Sequence, residues 1–184
     1  KWYEHANALL HCSFIGMEGG NALARVLFGE VNPSGKLTTT WCKRLEDMPD
    51  HVFGEYPGND TVRFKEGLMV GYRYFDTYQI APQFEFGYGL SYTSFEYSDL
   101  KMNPIWKDPD KEFDVSFSIT NTGKRYGQEI AQLYIHQQQC SVKRPVKELK
   151  GFEKVSLEAG ESRQVTLKLP RRALQYYDVI SKSW

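Results

Sequence analysis

FEFGYGLSYTSF, residues 84–95, divides the chain into two kinds of sequence. Five of these twelve residues are Phe or Tyr, and Gly87 and Gly89 flank Tyr88. A half-buried strand alternates apolar and polar side chains. Here the aromatics crowd one short segment, and the glycines free the backbone to bend between them. The stretch therefore reads as a packed tie or hinge rather than regular secondary structure. From Leu90 alternation resumes through SYTSFEYSDLKM (91–102).

Downstream, the period is two. FDVSFSIT (113–120) puts Phe113, Val115, Phe117 and Ile119 on one face. Asn121-Thr122-Gly123-Lys124 turns the chain, and EIAQLYIH (129–136) alternates again through Ile130, Gln132 and Tyr134. LKGFEKVSL (149–157) is a weaker run, and Glu158-Ala159-Gly160-Glu161 is a second turn. SRQVTLKL (162–169) carries Val165, Leu167 and Leu169 on one face. Strands roughly every 12 to 15 residues, with turn signals between, indicate a mainly β chain built on an antiparallel, immunoglobulin-like β-sandwich. Five or six strands are legible where such a sandwich has about seven. The sandwich is expected to be incomplete at its C-terminal end.

Upstream, the period is helical. WYEHANALL (2–10) has apolar residues at 2, 3, 6, 9 and 10. Gly19-Gly20 is a flexible entry, Asn21 a candidate N-cap, and Ala22, Leu23, Val26 and Leu27 one apolar face, with Gly29 as the stop. A turn at Asn32-Pro33-Ser34-Gly35 leads into KLTTTW (36–41), which is β-prone. Helix, turn and strand make half of a βαβ unit, whose remaining sheet is expected upstream of Lys1. Residues 46–95 form a long connector rich in Pro, Gly, Tyr and Phe, with turns at Met48-Pro49 and Tyr56-Pro57-Gly58-Asn59-Asp60. FKEGLMVGYRYFD (64–76) leaves a short helix and an irregular extended segment both open.

Lys+Arg and Asp+Glu are both 23, so no basic field exists to attract nucleic acid or an anionic membrane. No apolar run approaches the roughly 18 residues of a membrane helix. The chain opens on Lys1 and shows no signal peptide, which reads as processing or as a piece of a longer protein; the compartment, extracellular or cytoplasmic, stays open. Cys12, Cys42 and Cys140 have no CxxC or metal-ligand spacing and read as free thiols. Asn59-Asp60-Thr61 is a glycosylation sequon that matters only in a secreted chain.

Five runs in register carry a resemblance: EGGNALARVLFGEVNPSGKL (18–37), EGLMVGYRYFD (66–76), FEFGYGLSYTSFEYSDL (84–100), ITNTGKRYGQEIAQLYI (119–135) and KRPVKELKGFEKVSLEAGES (143–162). Together they resemble the C-terminal part of glycoside hydrolase family 3, the β-glucosidase family. That family orders a (β/α)₈ barrel, an α/β sandwich and a fibronectin type III-like domain. The resemblance implies that residues 1–45 are the last helix and strand of the α/β sandwich domain and 46–95 an aromatic-rich linker. It makes 96–184 a fibronectin type III-like domain lacking its last strands. It implies retaining hydrolysis of terminal non-reducing β-D-glucosyl residues, by a nucleophilic carboxylate and a second acid/base carboxylate about 5 Å apart. The family's nucleophile is an Asp on the barrel and its acid/base a Glu upstream of the EGGNAL segment. No catalytic residue, cofactor or metal is therefore assigned within this sequence. The implied substrate, an oligosaccharide or β-glucoside, would be held by the other domains, and these residues would pack on the barrel and α/β sandwich.

Local carboxylates have plainer readings. Glu18 complements a helix N-terminus rather than facing a sugar. Glu66 and Asp76, with Arg73 between them, read as a local salt bridge rather than an acid/base pair. Tyr72, Tyr74 and Phe75 are candidate sugar-subsite aromatics, with core or interdomain packing as the competing reading. His5, His11, His51 and His136 share no catalytic spacing, and Glu148 and Lys150 read as a solvated strand face. Two functions remain: an enzyme segment inactive alone, or a free-standing β-sandwich module that binds carbohydrate or a protein. Made alone, the chain is expected to expose Leu23, Val26 and Leu27 and to be poorly soluble.

Overall fold

The computed structural model describes residues 2–54, 56–58, 60–103 and 112–184. Asn59, the acceptor of the sequon, lies outside them. The sandwich is built from β1 (Phe95–Asn103), β2 (Phe113–Asn121), β3 (Gly127–Ile135), β4 (Glu148–Leu157) and β5 (Ser162–Leu169). Every strand pairing among the described residues is antiparallel. One sheet has the order β1-β2-β5, and β3 and β4 form the other.

Alternation explains the core. Val115, Phe117 and Ile119 of β2 point inward, and in register beside them stand Leu167, Val165 and Arg163 of β5. Ala131, Val155 and Leu157 close the core from the second sheet, with Phe95 and Leu133 at its margin. Each Val, Leu, Ile or Phe side chain among them, fully buried, contributes roughly 1.5–3 kcal/mol. On β3 the run Ile130, Gln132 and Tyr134 lies on the outward face, because Ala131 is the buried neighbour. The β4–β5 turn uses Gly160 at φ +79°, where a side chain would be strained.

The N-terminal part departs from its sequence reading. Helical spacing over 2–10 yields one 3-10 turn, Trp2–His5, followed by irregular backbone up to residue 18. An isolated helix this short is marginal without a surface on which to bury its stripe. Helix α1 (Gly19–Leu27) begins two residues before Asn21, and Glu18 is its N-cap residue. Asn21 instead donates from Nδ2 to Glu18 Oε2 at 2.7 Å. The stop at Gly29 is as read. Gly29 N–H bonds to Val26 O and Glu30 N–H to Arg25 O, a Schellman closure with Gly29 at φ +76°. KLTTTW runs extended but is not a regular strand. It pairs irregularly with the aromatic tie, through Leu37 N–H to Tyr88 O, Gly87 N–H to Leu37 O and a bridge between Trp41 and Phe84.

The connector has a small core of its own. Met69, Tyr74 and Phe75 are buried there, packed by Cys42, Met48, Phe53 and Ile80. Met48-Pro49 is not a bare turn: Pro49 is the first residue of helix α2 (Pro49–Val52), a position that needs no N–H. The undecided run 64–76 splits. Its first part is irregular, and helix α3 (Tyr72–Thr77) starts after Gly71, whose φ is +57°.

Candidate functional site

A dense set of long-range polar contacts lies at the joint between the N-terminal segment and the sandwich. Asn32, just past the closure of α1, is its hub. Its Nδ2 donates to Tyr126 O at 2.9 Å, and its Oδ1 accepts from Ser91 Oγ at 2.9 Å and Tyr92 N at 2.7 Å. Tyr92 OH reaches back to donate to Val26 O in α1 at 3.0 Å. On the sandwich side, Asn121 is fully buried. Its Oδ1 accepts from Thr93 Oγ1 (2.7 Å) and Gly123 N (3.1 Å), while Nδ2 donates to Arg125 O (2.7 Å) and Leu157 O (3.1 Å). The aromatic tie thus connects two satisfied amides, one in each part of the molecule.

A second set of contacts flanks the tie. Lys36 Nζ donates to Gly89 O at 2.8 Å and pairs with Glu129 Oε2 at 3.1 Å, with both side chains largely buried. Tyr97 OH donates to Glu129 Oε1 at 3.0 Å. Burial first, then the charge and hydrogen bond of Glu129, push the Tyr97 phenol above its usual range. Gln132 Nε2 donates to Gly87 O at 3.0 Å, and Gln132 Oε1 accepts from Tyr134 OH at 2.7 Å. Burial, with smaller effects from Tyr72, Asp76 and Glu85, pushes Tyr134 up to about 12. Between the 85–89 segment and β3 runs a groove of about 420 Å³.

Helix α3 docks on the β3–β4 connection. Leu149 N–H donates to Tyr72 OH at 2.6 Å, and Val146 N–H to Thr77 Oγ1 at 3.0 Å. Tyr72 stacks on Phe86 at 4.7 Å and meets Tyr134 edge-on at 5.8 Å. Tyr74 and Phe75 are 5% and 2% exposed. All three candidate aromatics therefore have their faces against protein. Asp76 pairs with Lys147 at 3.1 Å, not with Arg73, whose guanidinium lies over the Tyr72 ring.

The reading of Glu148 and Lys150 as solvated is corrected. Glu148 Oε1 accepts from Arg144 Nη2 at 2.6 Å and Oε2 from Lys150 Nζ at 2.8 Å, with all three side chains largely buried. Burial alone would raise the Glu148 carboxyl. Hydrogen bonds and charge from Lys150 and Arg144 outweigh it and hold the group below the usual carboxylate range. Among the described residues, no three His, Cys, Asp or Glu side chains are grouped to hold a metal, and no helix is long and apolar enough to cross a membrane. Sequence reasoning missed Asn32, Asn121 and Glu129 as joint residues. Asn32 and Asn121 look like ordinary turn residues, and Asn32 finds its partners 59 to 94 positions away. The chemistry available at the joint is hydrogen bonding, ion pairing and ring packing.

Comparison with known proteins fits this anatomy. Residues 1–92 match the glycosyl hydrolase family 3 C-terminal domain, and residues 129–184 the fibronectin type III-like domain. A thermostable β-glucosidase B of Acetivibrio thermocellus is 48% identical over 184 residues, which cover all of this chain and 24% of that protein. A β-glucosidase of Bacteroides ovatus is 46% identical, covering all of this chain and 25% of its own length. The chain thus spans about a quarter of the length of these curated relatives. Among solved structures, the β-glucosidase of Kluyveromyces marxianus superposes with a TM-score of 0.90 at 39% identity, over 98% of this chain and 21% of that one. β-Glucosidase 3B of Thermotoga neapolitana superposes with a TM-score of 0.79 at 43% identity, over 86% and 22%. The chain belongs to glycosyl hydrolase family 3, of whose proteins it carries the C-terminal part.

Proposed function

We propose that these residues brace a retaining, β-glucosidase-like exo-glycosidase that releases terminal non-reducing β-D-glucosyl residues. The two carboxylates of that reaction belong to the part of the protein outside this quarter, so the segment alone is inactive. The observation that carries the proposal is the joint. Asn32 binds the N-terminal segment to the tie and to Tyr126, Tyr92 reaches back to α1, and Asn121 anchors the tie to the sandwich through Thr93. Glu129 and Glu148, the best-positioned carboxylates, are each locked by two partners and have no free role as acid, base or nucleophile. The same reading divides the chain into the end of an α/β sandwich domain (1–45), a linker (46–95) and a fibronectin type III-like domain (96–184). It assigns Tyr72, Tyr74 and Phe75 to packing, which their enclosure supports. The test is hydrolysis of an aryl β-glucoside by the 184-residue chain beside the full-length protein. The full-length protein is expected to turn over and the chain to stay at background. Comparable turnover by the chain alone would overturn the brace.

A further inference from the structure

We propose that the protein builds a site for one ordered water molecule between Thr40 of the N-terminal segment and Tyr72 and Asp76 of α3, and that this water ties KLTTTW to the connector helix. The site is independent of the hydrolase chemistry. Thr40 stands one residue before the bridge between Trp41 and Phe84, where the N-terminal segment meets the tie. Its Oγ1 is shut off from solvent and has no hydrogen-bond partner among the described residues. A buried hydroxyl left unpaired bears the full penalty of its lost hydration, and folded proteins leave few such groups without a protein or water partner.

Thr40 lines a cavity of about 10 Å³, room for about one water. Its walls come from five places in the chain: Thr40 from KLTTTW, Tyr72 and Asp76 from α3, Glu85 from the tie, Tyr134 from β3 and Lys147 from the β3–β4 connection. Tyr72 and Asp76 are four residues apart on α3 and so share one face of that helix. Tyr72 OH accepts from Leu149 N–H at 2.6 Å and keeps its own proton to give. Asp76 pairs through Oδ2 with Lys147 at 3.1 Å, which leaves Oδ1 to accept. A water here receives hydrogen bonds from Thr40 and Tyr72 and donates to Asp76, the three bonds typical of a buried water. The Tyr134 phenol reports the same polar surroundings. Burial raises it first, then Tyr72, Asp76 and Glu85. An apolar cavity of this size stays dry, whereas one with hydroxyls and carboxylates in its walls holds water. The ammonium of Lys147 already neutralises Asp76 and repels a metal ion, which selects a neutral occupant.

The experiment is a high-resolution crystal structure of the full-length protein, with thermal unfolding of Thr40→Val and Thr40→Ser beside it. One water is expected within about 3.2 Å of Thr40 Oγ1 and of an oxygen of Tyr72 or Asp76. Thr40→Val keeps the shape of the side chain and removes the hydroxyl. It is expected to lower the unfolding midpoint by a few degrees, and Thr40→Ser to retain the water. A hydroxyl with no partner at all behaves oppositely: replacing it by a methyl leaves the midpoint unchanged or raises it. That result would overturn the inference. So would a Thr40 hydroxyl bonded directly to protein with no water density beside it. Density ringed by six or more oxygens at about 2.3–2.6 Å would also overturn it, since that marks a cation. Should Thr40→Val fail to fold, the density in the unaltered protein decides the matter alone.

Discussion

Asn121 has no exposed surface and all four of its side-chain hydrogen bonds are made. Truncating it strands a hydroxyl, an amide and two carbonyls at once. Asn121→Ala is expected to cost about 3 kcal/mol, read as a lower denaturant midpoint with an unchanged slope. Glu148 makes the matching electrostatic case. A carboxyl held below its unfolded value takes up its proton more readily once unfolded, so it stabilises the fold at neutral pH and loses that contribution as pH falls through the folded value. Acid unfolding is expected to show a limb below about pH 4.5 that Glu148→Gln flattens. The same variant leaves the buried Arg144 and Lys150 charges without their carboxylate and is expected to cost about 3 kcal/mol at neutral pH. At this scale the sequence showed little. Alternation put Glu148 and Lys150 together and read them as a solvated face, because nothing local showed that Arg144 would come down over Glu148, tied to Leu174 by a hydrogen bond across thirty positions.

The elements were legible in proportion to how much of their burial is repetitive. Strands β2 and β5 alternate strictly, so both their existence and their inward face could be read. Strand β3 also alternates, but the larger side chains lie on its outward face, under the tie, while the core side offers Ala131 and Leu133. The 2–10 run failed because an apolar stripe stabilises a helix only against a surface. The tie itself was recognised as irregular from its glycines, and packing explains both. At Gly87, φ is +80° and an added Cβ would collide with the Gln132 side chain. At Gly89 an added Cβ would collide with the Gly35 carbonyl, a backbone atom that cannot rotate away. Gly89→Ala is expected to cost about 2–3 kcal/mol and to loosen the joint, measured by thermal unfolding and by faster exchange at Leu37 and Gly87 amides.

Across the whole molecule, apolar exposure is uneven. Phe14 and Met17 are fully exposed, and Phe28 and Leu27 are 85% and 63% exposed, all around α1. The centre of the sandwich core, by contrast, is enclosed, with Ile119 and Leu157 at no exposure. The 184-residue chain on its own is therefore expected to self-associate or to bind a hydrophobic dye, and a monodisperse, dye-negative monomer would contradict this. The most direct test of the brace is Asn32→Ala in the full-length protein, followed by heating and assay of the surviving aryl glucoside hydrolysis. Asn32 joins the two parts through Tyr126, Ser91 and Tyr92, none of them a carboxylate. A brace predicts that the inactivation midpoint falls by several degrees while kcat/KM at low temperature is unchanged. An unchanged midpoint, or a loss of kcat/KM with no loss of heat resistance, would contradict it.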